Sequence, residues 1–290
     1  MLMAFVGDVH GRVLHAIAAL AGRQKATRRP FDLIVQVGDL GAYPEVTRMD
    51  AATLRYLEAD PTQADFGRLL RSDGRRADNL RRVRREFAAP IHFIRGNHED
   101  FAWLEALPIE VGAHTAPVDP FGLFHYVPDG TLISAGGWAL GFLGGAEPGD
   151  PTDGAGAALD EATAARLLEQ GRGAIDVLVT HDGPYGIGTS YYGKTQGAPA
   201  ITRLVEHLRP RFHIAGHYHH LIGPRAHGET TYLGLAGLGA PPHPLLQGGW
   251  GAALDTESGQ LTVFDEGPTD LTSSFDFDGW AEAFTRRMEQ

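Results

Sequence analysis

Short apolar runs punctuate the chain at residues 2–6, 33–37, 91–94, 132–135, 140–143, 177–179, 212–215 and 231–235, and each reads as a buried strand. Helical patterns lie between several of them. Residues 13–21 are apolar and alanine-rich, and the pattern over 160–170 opens on an Asp suited to capping it. Residues 199–208 carry apolar positions at helical spacing and stop before Pro210. Strands alternating with helices predict a layered α/β domain. Two stretches interrupt the alternation: 43–88, long, polar and helical in pattern, and 146–156, a loop rich in Gly, Pro and Asp. The expected organisation is a domain over 1–267 with a helical insertion at 43–88. A C-terminal tail, 268–290, follows, with one amphipathic helix near 279–288.

Composition narrows this picture. A chain of 290 residues with 43 % hydrophobic content can bury a sizeable core. No run approaches the ~18 apolar residues of a membrane span. The opening MLMAFVGDVHG reads as a first strand and not as a signal peptide. The absence of Cys excludes a disulfide framework, a thiolate metal site and a Cys nucleophile, and a cytoplasmic location is the default expectation. A net charge of −11 argues against bulk electrostatic binding to nucleic acid. Positive charge nonetheless gathers between Arg71 and Arg85, which reads as a solvated helix face or, alternatively, as a grip on substrate phosphates.

Five short signals carry the chemistry: Asp8-Val9-His10, Gly38-Asp39, Gly96-Asn97-His98-Glu99, Thr180-His181 and Gly216-His217-Tyr218-His219. Each follows a strand-like run, and in open α/β sheets the ligand site forms outside the carboxyl ends of strands. The i, i+2 spacing of Asp8 with His10, and of His217 with His219, puts each pair on one side of an extended backbone. Carboxylate and imidazole without thiolate suit Mn, Fe or Zn in a catalytic role. Two such ions lower the pKa of a bridging water and clamp both oxygens of an in-line displacement. Glycines at 38, 96 and 216 are expected to let the backbone bend beside the metals.

The ordered set D-x-H, GD, GNHE, H and GHxH resembles the calcineurin-like metallophosphoesterase superfamily over roughly residues 3–235. The resemblance implies a four-layer αββα sandwich, a dinuclear centre and hydrolysis of phosphate esters by a metal-bridging hydroxide. Carried over, Asp8, His10 and His219 hold one divalent ion, Asn97, His181 and His217 hold the other, and Asp39 bridges. The ions expected are two Mn2+, with Fe or Zn as alternatives. His98 sits unligated over the phosphate as acid or charge stabiliser, and Glu99 or Asp100 orients it from behind. His220 would point away from the metals, and the histidines outside the motifs read as surface or core residues.

A finer likeness links residues 181–187 and 197–210, with FIRGNHED, to RNA lariat debranching enzymes, although those carry Cys where this chain has Asp8. It favours a phosphodiesterase acting on nucleotide or nucleic-acid substrates. Tyr185, Tyr191, Tyr192 and Lys194 are candidates for stacking a base or meeting a phosphate. A phosphomonoesterase or protein phosphatase is the alternative, and a non-catalytic scaffold a further one. Nothing in the sequence addresses oligomeric state.

Overall fold

The first strand, β1 (Leu2–Val6), sends Leu2, Ala4 and Val6 into one hydrophobic cluster and Met3 and Phe5 into another. Both faces are covered, which is why its sequence shows no polar alternation. The structure, a computed structural model, describes residues 1–148, 156–188, 193–239, 245–265, 271–272 and 274–286. Most of the loop expected at 146–156, together with Tyr191 and Tyr192, lies outside the described residues.

The remaining strands of the first half are β2 (Leu33–Gln36), β3 (Ile91–Phe93), β4 (Ala116–Pro117), β5 (Phe124–Tyr126), β6 (Leu132–Ala135) and β7 (Trp138–Leu143). The second half supplies β8 (Val177–Thr180), β9 (Phe212–Ala215), β10 (Ile222–His227), β11 (Thr230–Gly234), β12 (Gly251–Asp255) and β13 (Gln260–Val263). They form a seven-stranded sheet, β13-β12-β1-β2-β3-β5-β4, and a six-stranded sheet, β10-β11-β9-β8-β7-β6. The strands β1, β2, β3 and β5 run parallel in one sheet, and β7, β8, β9 and β11 in the other. Met3, Phe5, Val35, Phe142, Val179, Ile214 and Leu233 fill the layer between the sheets.

Helices cover the two outer faces. On the first sheet lies α1 (Val13–Thr27); between β2 and β3, α2 (Ala51–Leu57) packs through Leu57 on Tyr43, Met49 and Ala64, while α3 (Asp65–Leu70) and α4 (Gly74–Arg84), followed by α5 (Phe101–Glu105), return to that sheet's outer cluster. On the second lie α6 (Glu161–Leu168) and α7 (Pro199–Leu208), whose Leu167, Ile201, Leu204 and Leu208 bury against Leu178. The fold is therefore the αββα sandwich that the sequence led us to expect. The Asp160 carboxylate caps α6 through the amides of Ala162 and Thr163.

The final helix, α8 (Phe277–Arg286), begins two residues before the expected 279 and returns to the first outer layer. Its Phe277, Ala281 and Phe284 join the cluster that holds α1 and α4. Ion pairs tie it to the arginine-rich segment, Arg75 to Glu282 at 2.6 Å and Arg76 to Asp278 at 2.8 Å. Arg84 donates to the carbonyls of Gly122 and Phe87, and Arg71 to that of Pro44. Much of the basic cluster is thus engaged within the fold. Among the described residues no helix is long and apolar enough to cross a membrane.

Candidate metal centre

Every motif residue follows the carboxyl end of a strand: Asp8 and His10 after β1, Asp39 after β2, Asn97 and His98 after β3, His181 after β8, and His217 and His219 after β9. The parallel direction of those strands brings the five loops to one edge of the sandwich. Local conformation then aims the side chains. The backbone is not extended there: His10, Asp39, His217 and His219 all occupy the left-handed region, with φ of 47°, 56°, 71° and 57°. The same-side argument from extended spacing therefore gives way to a turn argument. Left-handed residues other than glycine cost roughly 1–3 kcal/mol each and cluster at functional sites.

Each carboxylate has two tasks. Asp39 Oδ1 accepts from the amides of Asn97 and His98, both at 2.8 Å, which fixes the loop after β3. Asp8 Oδ1 accepts from the amide of His217 at 3.0 Å and fixes the loop after β9. Gly96 and Gly216 are needed for this approach and not for a bend. A Cβ at Gly96 would fall 2.0 Å from Asp39 Oδ1, and one at Gly216 would fall 2.3 Å from Asp8 Oδ1.

The second oxygens face the histidines. Asp8, His10, Asp39 and His219 form one cluster whose ligand atoms lie within 4.8 Å of one another, and Asp39, His181 and His217 form a second. Asp39 belongs to both. Its Oδ2 is buried without a hydrogen-bond partner, 3.5 Å from His181 Nε2 and 3.8 Å from His10 Nε2. Asn97 Oδ1 lies 3.0 Å from His181 Nε2, and His10 Nε2 lies 2.9 Å from His219 Nε2. Facing imidazole nitrogens around an orphaned carboxylate oxygen are a poor arrangement for neutral groups and a good one for cations. The residues present fit two divalent ions, one per cluster.

Electrostatics draw positive charge into the site: although burial opposes protonation, Asp39 holds His181 up to about 10 and Asp8 raises His219. Burial alone would raise the Asp39 carboxyl, yet His181, His98 and His10 hold it well below the usual carboxylate range. Burial pushes His10 down to about 3, and burial together with His181 lowers His217, so both offer neutral rings with free lone pairs.

His98 lines the site but lies in neither cluster. Its Nδ1 is 3.0 Å from Asp50 Oδ2, and Asp50 also accepts from the Tyr43 hydroxyl. The orienting group is therefore Asp50, which replaces the expected Glu99 or Asp100. Glu99 is committed elsewhere: its buried carboxylate accepts from the amides of Leu40 at 2.9 Å and Ala42 at 2.6 Å, bracing the loop that carries Asp39. Asp100 pairs with Arg48 and caps α5 through the amide of Trp103. Asp50 escaped the sequence reading because it lies 48 residues before His98 inside the insertion. Its one local signal was that of a helix start, and its other oxygen does cap α2 through the amide of Thr53 at 2.8 Å.

A cavity of about 570 Å³ opens over His10, His98 and His219, and its far wall comes from the insertion, including Tyr56, Asp60 and Gln63. Arg12 lines it too, in a buried ion pair with Asp60. Two further arginines near the motifs, Arg95 and Arg225, are not among the cavity's lining residues, and neither is His220, which was expected to point away. Arg95 pairs with Asp129 at 2.7 Å, Arg225 donates to the carbonyl of Ile187, and His220 bonds the carbonyl of Tyr218.

The family profile described as calcineurin-like phosphoesterase matches residues 1–221. Among curated proteins, "UPF0046 protein K07C11.7" of Caenorhabditis elegans is 33 % identical over 61 residues, covering 21 % of each chain. "UPF0046 protein C25E10.12" of the same organism is 34 % identical over 68 residues, covering 21 % of this chain and 24 % of its own. The matches thus span under a quarter of those relatives' length. Among solved structures, TT1561 of Thermus thermophilus superposes with a TM-score of 0.51 at 14 % identity, over 91 % of this chain and 98 % of that one, a likeness of fold.

Proposed function

The chain belongs to the calcineurin-like phosphoesterase family, and from that premise we propose that it is a dinuclear phosphodiesterase acting on nucleotide-sized substrates. Asp8, His10, His219 and Asp39 would hold one divalent cation, and Asp39, Asn97, His181 and His217 the other. When bound, the cations supply positive charge to the phosphoryl oxygens and make a coordinated water acidic enough to attack. The protein's own groups do the rest. Asp50 engages His98 at Nδ1, leaving Nε2 as the nitrogen that can hand a proton to the departing oxygen. Glu99 and the paired oxygens of Asp8 and Asp39 keep the loops, and so the ligand atoms, in register.

The diester reading rests on the charge balance of the cavity. Among the described residues lining it, Arg12 is the one Lys or Arg, and its charge is already matched by Asp60. Beyond the two divalent ions and His98, a dianionic monoester would find no further Lys or Arg to meet its second charge, whereas a diester brings one charge and a second substituent for the 570 Å³ space. The arginine-rich segment, engaged with α8, supports a small substrate better than a polynucleotide. The test is hydrolysis of bis-p-nitrophenyl phosphate against p-nitrophenyl phosphate. We expect higher kcat/KM for the diester, loss on chelation, and better recovery with Mn2+ than Mg2+, because four imidazoles suit Mn2+ and Mg2+ prefers oxygen. Preference for the monoester overturns the reading.

A further inference from the structure

The insertion does more than close the cavity. Tyr56, on α2, presents an aromatic ring at its wall and is 58 % exposed, and its side chain makes no hydrogen bond or ring contact among the described residues. Ala52, one helical turn before it on α2, and Ala59, just past the end of that helix, line the same wall with side chains too short to crowd the ring. Gln63 lines the same wall and is only 6 % exposed. Its carboxamide makes no hydrogen bond within the described residues and is not among the buried polar atoms left without a partner, so its donor and acceptor open onto the cavity, free to meet a ligand.

Gln63 is also held in place. Gly11, directly after His10, lies so close to it that a Cβ there would fall 1.9 Å from the Gln63 carbonyl oxygen. Asp60, at the amino end of the same turn, is pinned by Arg12. The wall is therefore registered against the loop that carries a metal ligand and not merely near it.

We infer that Tyr56 and Gln63 form a recognition subsite for a nucleobase on the phosphodiester, with the ring of Tyr56 stacking on the heterocycle and the carboxamide of Gln63 pairing with its edge. Every base offers a π-face to an aromatic ring, and a carboxamide matches an edge with adjacent donor and acceptor. An alkyl substituent offers no flat π-face and no hydrogen-bonding edge. The inference deepens the phosphodiesterase reading and rests on it for turnover, though not for binding.

The test compares two esters with one leaving group in Mn2+-loaded protein: thymidine 5′-p-nitrophenyl phosphate and methyl p-nitrophenyl phosphate. The readout is the ratio of their kcat/KM values, which cancels any common effect on the metals or the acid. Tyr56→Leu should lower that ratio about tenfold, within the range for loss of base–aromatic stacking, and Tyr56→Phe should keep it. Gln63→Met, close to isosteric and without the polar atoms, should lower it too. Ratios unchanged in both Tyr56→Leu and Gln63→Met overturn the subsite. Calorimetric titration with thymidine 5′-monophosphate separates the two claims. If neither ester is turned over but nucleotide affinity falls in Tyr56→Leu, the subsite holds and the phosphodiesterase reading fails. Affinity unchanged by both substitutions removes the subsite.

Discussion

His98 stands between two carboxylates. Burial opposes its protonation, but the charge of Asp39 and the contact with Asp50 outweigh burial and hold it up to about 9. Cations beside Asp39 would cancel that residue's share and leave Asp50 as the group that keeps the proton on the ring. Two expectations follow at this scale. His98→Ala should cut turnover of a diester with an alkoxide leaving group by about 10²–10⁴-fold while metal content stays normal; loss of metal would make His98 a ligand instead. Asp50→Asn separates charge from capping, since Asn caps a helix about as well as Asp. The α2 cap should survive, while the alkaline limb of the kcat–pH profile moves to lower pH and the unfolding free energy at neutral pH falls with the lost His98 ion pair. An unmoved profile would show that Asp50 does not hold the proton. The metal-binding types were legible as motifs, because each follows a strand directly in sequence. Asp50 was not, since its contact with His98 spans 48 residues and exists only once the insertion has folded back.

The insertion is the element that turns a metal edge into a pocket. Three of its attachments lie at the cavity: the Arg12–Asp60 ion pair, the Gly11–Gln63 approach, and Asp50 joining α2 to His98. Arg12 and Asp60 are both almost wholly buried, at 3 % exposure each. Removing one partner of a buried pair leaves an uncompensated charge, so Asp60→Ala should destabilise by about 3–5 kcal/mol in urea unfolding. Asp60 also caps the turn at Pro61–Ala64 through the amide of Thr62, so the loss should loosen the wall and raise KM. A cost under about 1 kcal/mol would show that the pair is not what anchors the insertion. The sequence announced a helical stretch here through its polar, helix-like pattern, but not its attachments. Similarly, 13–21 was legible as a helix by its alanines, while its continuation to Thr27 is polar and rests on the Phe31 amide held by Gln24 and on packing near Phe264. The strands β12 and β13 went unread because one is Gly-Ala-Ala and the other alternates exposed with half-buried positions.

At the scale of the whole molecule, two sheets and two helical layers bury titratable groups that an extended chain would leave in water. His213 in β9 is fully buried, its Nε2 2.7 Å from Thr180 Oγ1, and burial pushes it down to about 3. Unfolded, it would take up a proton near pH 6.5. Between those values the unfolded chain binds more protons, so stability falls as pH drops below about 6.5 and is unaffected by this group above it. The contribution reaches about 2 kcal/mol by pH 5, and His213→Gln should flatten the fall in melting temperature between pH 6.5 and 5 by a matching amount. An identical slope in the variant would assign the acid sensitivity elsewhere. The layered architecture was legible because strands covered on both sides read as unbroken apolar runs; the return of α8 onto α4 was not, because it depends on ion pairs such as Arg76 with Asp278, 202 residues apart. What joins these scales is the claim that seven side chains from five strand ends hold two cations around Asp39. The most direct measurement of it is the manganese content of protein loaded with Mn2+ and then freed of unbound metal. Two ions per chain, falling to one or none in Asp39→Ala, is the predicted result; a single ion per chain, or two that persist without Asp39, would contradict the account.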